Sequence, residues 1–129
     1  SCYWLLEGRE AMLNVLACFL CGIFDSKLEF AVRSWGLQDD RVAGRVADAD
    51  ERRLAALREM LMRWGHHQKE ADVRARTIYL TQIGYISMRA QEDVEIRLAR
   101  IPTYVEIHTG QPPEPREIAR FKSAVKPSS

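Results

Sequence analysis

The residues best suited to chemistry are three thiols, three imidazoles and a scatter of hydroxyls and carboxylates. Cys18-Phe19-Leu20-Cys21 has the CxxC spacing that serves thiol exchange or zinc binding. Redox use needs a helix N-terminus or a basic neighbourhood to stabilise a thiolate. These two instead interrupt an apolar run, and Cys2 alone supplies no second ligand pair, so they are core residues. His66 and His67 are adjacent in a loop and diverge, and no Cys or carboxylate stands beside them at ligand spacing. No metal site and no cofactor are expected. Ser26, Ser34 and Ser87 have no histidine at a readable spacing, and Ser26 is better placed as a helix cap. Asp39-Asp40 and the pair Asp48 and Asp50 fit a corner and a solvated face better than an acid–base pair. The sequence therefore predicts no catalytic residues and no enzyme.

What remains is a binding chemistry. Phe19, Phe30, Trp35, Trp64 and Tyr79, with Met60, Gln82 and Ile83, have the composition of an inter-helical pocket, apolar with a few orienting polar groups. Gln82 is the most pointed of these, because a buried amide needs partners. Read one at a time, each aromatic is equally a core residue. The candidate ligand-facing set is Phe30, Trp35, Met60, Trp64, Tyr79, Gln82 and Ile83.

Totals narrow the class. A chain of 129 residues, 47% hydrophobic and 29% charged, can bury a core as one soluble domain over residues 1–125, with 126–129 as a tail. The net charge is +1 without a basic run, which argues against a direct grip on nucleic acid or an anionic membrane. The most apolar stretch, Ala11–Phe24, falls short of the roughly 20 residues a spanning helix needs. It also lacks the features of a secretory signal. Three cysteines form no closed disulfide set, so a reduced, cytoplasmic setting is expected. Because the chain begins at Ser1, a fragment of a longer protein is suspected.

The elements follow from periodicity and punctuation. Glu7–Phe24 is helical, with Met12, Leu13, Leu16, Phe19 and Ile23 in its stripe. Ser26 and Glu29 have capping-box spacing ahead of a helix from Lys27 to Leu37 that buries Leu28, Ala31, Val32 and Trp35. Asp39 caps a long helix, Arg41–Trp64, with or without a separate turn at Arg41–Val46, and Gly65 stops it. Its inward side is Val42, Val46, Ala49, Leu54, Leu57, Leu61 and Trp64; its outward side, Arg53 included, is charged. Glu92–Thr109 aligns Val94, Leu98, Ile101, Val105 and His108, with a kink or fresh start at Pro102. Gly110 ends it, and Glu114–Val125 closes the chain. Nothing alternates with period two. The fold class is all-α, about six helices.

Glu70–Ala90 organises the rest. Ala75, Tyr79, Ile83, Ile86 and Ala90 form one apolar stripe, and Val73, Leu80, Gly84 and Met88 form a second, with Thr77 and Ser87 between them. A helix apolar on two sides is buried on two sides. One side meets the chain's own core; the other calls for a partner, most simply a second copy.

Three segments together resemble the ligand-binding half of tetracycline-repressor-like (TetR-like) transcription regulators of bacteria. They are LEFAVRSWGLQDDRVAGRVADADERRLAALREML from Leu28, ADVRARTIYLTQIGY from Ala71, and YVEIHTGQPPEPREIARF from Tyr104. Tyr3–Leu13 is similar in spacing to the segment that leaves that family's recognition helix, with Leu5 and Leu6 where His and Phe are usual. Either residues are missing between Ala11 and Asp25, or Glu7–Phe24 is an early helix of the regulatory half. The resemblance implies a homodimer built as a four-helix bundle from Glu70–Ala90 and Glu92–Thr109. Its seam would be Val73, Thr77, Leu80, Gly84, Ser87, Met88, Ile101, Tyr104, Val105 and His108. It further implies a small apolar or amphipathic effector among the helices of Lys27–Trp64, and operator DNA contacted only through an N-terminal helix-turn-helix that this sequence lacks. The rival reading is a helical protein-interaction module with no small-molecule site.

Overall fold

Five α-helices account for nearly all of the residues that the computed structural model describes, which are Met12, residues 26–89 and residues 93–124. They are α1 (Ser26–Gly36), α2 (Asp40–Arg63), α3 (Gln68–Ser87), α4 (Val94–Thr109) and α5 (Pro115–Ala124). No strand occurs among the described residues, so the fold is all-α. The expected helix Glu7–Phe24 and the tail 126–129 lie outside them, apart from Met12, which is helical and buried. Among the described residues no helix is long and apolar enough to cross a membrane. The chain groups into two compact units, one of Asp25–Ala90 with α1–α3, the other containing α4 and α5.

Helix ends fall where local chemistry puts them. Asp39 Oδ1 accepts from the backbone N–H of Arg41 (2.9 Å) and of Val42 (3.4 Å), so α2 starts with two otherwise orphaned donors satisfied. The helix runs unbroken from Asp40, with no separate turn at Arg41–Val46. At its far end Gly65 has φ +100°. The Gly65 N–H reaches the Met62 carbonyl (3.0 Å) and the His66 N–H reaches that of Leu61 (3.2 Å), the paired bonds of a Schellman stop.

In the Asp25–Ala90 unit, α2 presents Leu54, Leu57, Met60 and Leu61 and α3 presents Ala71, Ala75, Ile78, Tyr79 and Ile86 as buried groups. Both sets recur at three- and four-residue spacing, the geometry of two helices packed along one face. Of the two apolar stripes read on α3, only the first is covered within the chain, with Ile83 half-buried. Val73, Leu80 and Met88 stay on the outside, Leu80 at 61% and Met88 at 81% exposure.

The first helix departs from its apolar pattern. Leu28, Ala31 and Trp35 are exposed, Trp35 at 58%, while Phe30 and Val32 share the half-buried positions with Glu29, Arg33 and Gly36. Gly36 lies so close to α2 that a Cβ there would stand 3.4 Å from the Ala43 Cα. Ser26 is the first described residue of the helix and is itself helical, and the Glu29 carboxylate does not reach back to it as a capping box would need. That carboxylate is drawn instead into ion pairs with Arg33 and Arg53.

In the second unit, Asp93 caps α4 by accepting from the Glu95 N–H (3.0 Å), and Gly110, at φ 84°, stops it. The helix continues through Pro102 without a fresh start. Pro112 and Pro113 precede α5, whose Pro115 occupies the first helical position. Glu117 Oε1 accepts from the Glu114 N–H (2.8 Å), the back-bond of a capping box. Ile101, Val105, His108 and Phe121 are buried.

Gly65→Ala should destabilise the chain by about 1–2 kcal/mol, because an alanine Cβ collides with the following carbonyl at positive φ. Urea unfolding followed by far-UV circular dichroism measures it, with a lower midpoint and an unchanged slope as the expected result.

Candidate functional site

Three short-range features of the sequence converge on one place. Glu29 and Arg33 are four apart on α1, Asp50 and Arg53 are three apart on α2, and Tyr79 lies mid-way along α3. Each pair shares a helix face, and packing α1, α2 and α3 brings the two pairs together over the Tyr79 hydroxyl.

The result is a closed ring of hydrogen bonds. Arg33 clasps Asp50 with both terminal nitrogens, Nη1 to Oδ2 at 3.2 Å and Nη2 to Oδ1. Its Nε donates to Glu29 Oε1 (3.2 Å), which also accepts from Arg53 Nη1 (3.0 Å). Arg53 Nη1 donates to the Tyr79 hydroxyl (2.9 Å), and that hydroxyl donates to Asp50 Oδ1 (2.5 Å). A cross-brace from Arg33 Nη2 to the Tyr79 hydroxyl (3.2 Å) completes it. The order Asp50, Arg33, Glu29, Arg53 alternates in charge and is neutral overall.

The electrostatics follow from half-burial. Burial works against the Asp50 carboxylate, but hydrogen bonds from Arg33 and Tyr79 outweigh it and hold its pKa below the usual aspartate value. Burial, with the hydrogen bond to Asp50, pushes the Tyr79 phenol up to about 12, against the opposing pull of Arg53. At neutral pH the phenol is therefore a fixed donor, neither base nor nucleophile. The arrangement ties α1, α2 and α3 together and orients a hydroxyl.

The residues expected to face a ligand are placed unevenly. Met60, Tyr79 and Gln82 are buried, and Phe30, Trp64 and Ile83 half-buried. Trp35 points to solvent. Phe30 is covered by the Arg89 guanidinium, 5.3 Å from its ring centre. An open cleft of about 550 Å³ on the same unit is lined by Arg58, Gln68, Lys69 and Asp72, none of the expected seven. There Asp72, hydrogen-bonded first by Arg76 and then by Arg58, is held below the ordinary aspartate pKa.

The expected seam residues divide by helix. On α3, Val73, Thr77, Leu80 and Ser87 are exposed, as is Met88 just past its end, Gly84 is half-buried, and a Cβ built on Gly84 meets nothing within 4 Å. On α4 the expectation is turned inside out. Ile101, Val105 and His108 are covered within the single chain, Val105 completely, and only Tyr104 is half-exposed. His108 is stacked on Tyr104 with ring centres 5.7 Å apart. The large apolar groups that α4 leaves outside are Ile96 and Ile107.

Cys2, Cys18, Cys21 and Phe19 lie outside the described residues. Among the described residues no three His, Cys, Asp or Glu side chains cluster as a metal site would need. His66 Nδ1 stands 3.3 Å from Glu70 Oε1.

Sequence reasoning missed Glu29, Arg33, Asp50 and Arg53 as a group. Their i,i+3 and i,i+4 spacings were the available signal, and on an isolated helix those spacings describe an ordinary surface pair. Comparisons with protein-family models, curated proteins and solved structures gave no match to the chain.

Tyr79→Phe should cost about 1–3 kcal/mol, by leaving Asp50 and Arg53 each short of a partner. Folding raises the phenol pKa from 10.0 to about 12, so its contribution is complete below pH 10 and is lost as pH climbs toward 12. Folding lowers the Asp50 pKa from 3.8, so that contribution is complete above the ordinary aspartate range and is lost as pH falls through the depressed value. A melting-temperature profile against pH checks both; Tyr79→Phe should flatten the alkaline limb and lessen the acid one.

Proposed function

We propose that this chain is the effector-binding and dimerisation domain of a bacterial TetR-like transcription regulator, a cytoplasmic homodimer whose ligand controls DNA binding by a helix-turn-helix outside the given sequence. The observation that carries this reading is the outer side of α3. Val73, Thr77, Leu80, Gly84 and Ser87 follow one another at alternating four- and three-residue steps, the spacing of a coiled-coil seam. They lie on the back of a helix whose front is core. Val73 and Leu80 are the exposed apolar groups of that row, the kind of group that a partner covers, and Gly84 leaves room for a second backbone to approach.

The seam in this proposal is drawn on α3, with Ile96 and Ile107 the apolar groups that α4 can add in place of its buried Ile101, Val105 and His108. An apolar or amphipathic effector would enter among α1, α2 and α3, where Tyr79 and Gln82 are the buried polar groups. Regulation then follows from linkage. An effector that prefers one arrangement of these helices shifts the population toward it, and the same differential affinity is felt at the DNA-binding end.

A second reading has its own support. Leu28 near the start of α1, and Trp35 and Leu37 at its end, are exposed apolar groups, which suits a helical interaction module that binds another protein and no small molecule. Self-association along α3 separates the two.

Sedimentation equilibrium at low micromolar concentration should give twice the chain mass of 14.8 kDa. Leu80→Lys, which sets a charge in the middle of the seam, should return the chain to monomer with its helix content intact. A wild-type chain monomeric at every concentration would favour the interaction module.

A further inference from the structure

Charge is missing from the second half of α3. The chain is 29% charged, and α2 exposes Arg45, Asp48, Glu51, Arg52, Glu59 and Arg63 along its length. α3 carries its charges between Lys69 and Arg76 and has none from Thr77 to its end at Ser87. About three turns of helix therefore expose Thr77, Leu80 and Ser87 with no charged group among them. Depletion of charge, more than apolar content, marks the centre of a protein–protein contact. The threonine hydroxyls of this stretch are already engaged, Thr77 Oγ1 donating to the Val73 carbonyl (2.9 Å) and Thr81 Oγ1 to that of Thr77 (2.6 Å). A covering surface would strand neither donor.

The outer row is also graded in size. Val73, Thr77 and Leu80 come first, and Gly84 and Ser87 follow. A Cβ on Gly84 would meet nothing within 4 Å, so an open place lies one turn from Leu80. Two copies set parallel would put Gly84 on Gly84 and Ser87 on Ser87, with little side chain to fill the space between. The next position of the row toward the N-terminus is Glu70, which would meet its own copy, and Lys69 would flank the partner's Arg74. An antiparallel setting about Leu80 removes both faults. Thr77 then lies level with the partner's Gly84 and Val73 with the partner's Ser87, larger against smaller. Glu70 lies past the last turn of the partner's α3. Such a contact is closed on itself and recruits no third copy.

We propose that the outer side of α3 docks a second copy of this chain antiparallel, the two helices crossing at Leu80 and pairing Val73 of each with Ser87 of the other. The proposal rests on the reading of α3 as a dimer seam and adds the direction in which the seam is joined.

Disulfide trapping in the full chain tests it. In an antiparallel pair centred on Leu80 the two Val73 positions stand roughly 21 Å apart along the helices, as do the two Ser87 positions, whereas Val73 faces the partner's Ser87. Val73→Cys and Ser87→Cys chains are mixed under reductant and then oxidised, and peptide mass mapping tells each new bridge from the three native cysteines. Both positions are exposed, so neither substitution disturbs the core. The mixture should give at least about tenfold more 73-to-87 bridge than either variant alone gives of its own, since a disulfide forms only where Cα atoms come within about 7 Å. Bridges within each variant alone, with none across the mixture, would overturn the antiparallel direction and leave the seam standing. A dimer by sedimentation with no bridge at either position would also overturn it, because the contact would then lie elsewhere. A wild-type chain monomeric at every concentration would remove the dimer reading itself, and this proposal with it.

Discussion

Four charges and a phenol share a half-buried space between three helices, and none of them tolerates being left without a partner. That constraint shapes the Asp25–Ala90 unit. A lone guanidinium or carboxylate at such depth is costly, and a closed ring of alternating charge removes the cost only when every member is in place. Asp50 and Arg53 must therefore face α1, Glu29 and Arg33 must face α2, and Tyr79 must reach between them. Glu29 and Arg33 thus share the half-buried side of α1 with Phe30 and Val32, and Leu28 and Trp35 are left outside.

The ring also relates the core to the surface. α3 packs one apolar side inward, where the Tyr79 hydroxyl bonds to residues of α1 and α2, and leaves Val73 and Leu80 outward. The proposed function would use this combination, a helix anchored on one side and open to a partner on the other. In the proposed function a ligand near Tyr79 and Gln82 and a second subunit along Leu80 act on the same helix from opposite sides.

Much of the fold was legible because helix ends are local events. Asp39 capping α2, Gly65 stopping it and Gly110 stopping α4 need only neighbours within five residues, and the structure places them as periodicity and punctuation require. The covered stripe of α3 and the inward set Leu54, Leu57 and Leu61 were legible for the same reason. The ring was not. Arg33 and Asp50 are 17 residues apart and Tyr79 a further 29, and no local rule distinguishes a pair that solvates a helix from one that crosses between helices. The fate of Trp35 and of the α4 residues Ile101, Val105 and His108 depended equally on tertiary context: whether an apolar stripe meets its own chain or another is not written in its spacing.

The measurement closest to the central claim is a double-mutant cycle between Asp50→Asn and Tyr79→Phe, read by urea unfolding of the full chain. Residues that act within one network should show a coupling of at least about 1 kcal/mol, the double variant losing less than the sum of the singles. Additivity within about 0.3 kcal/mol would mean that the two groups act independently, and the ring would then be a set of separate contacts that holds nothing in common.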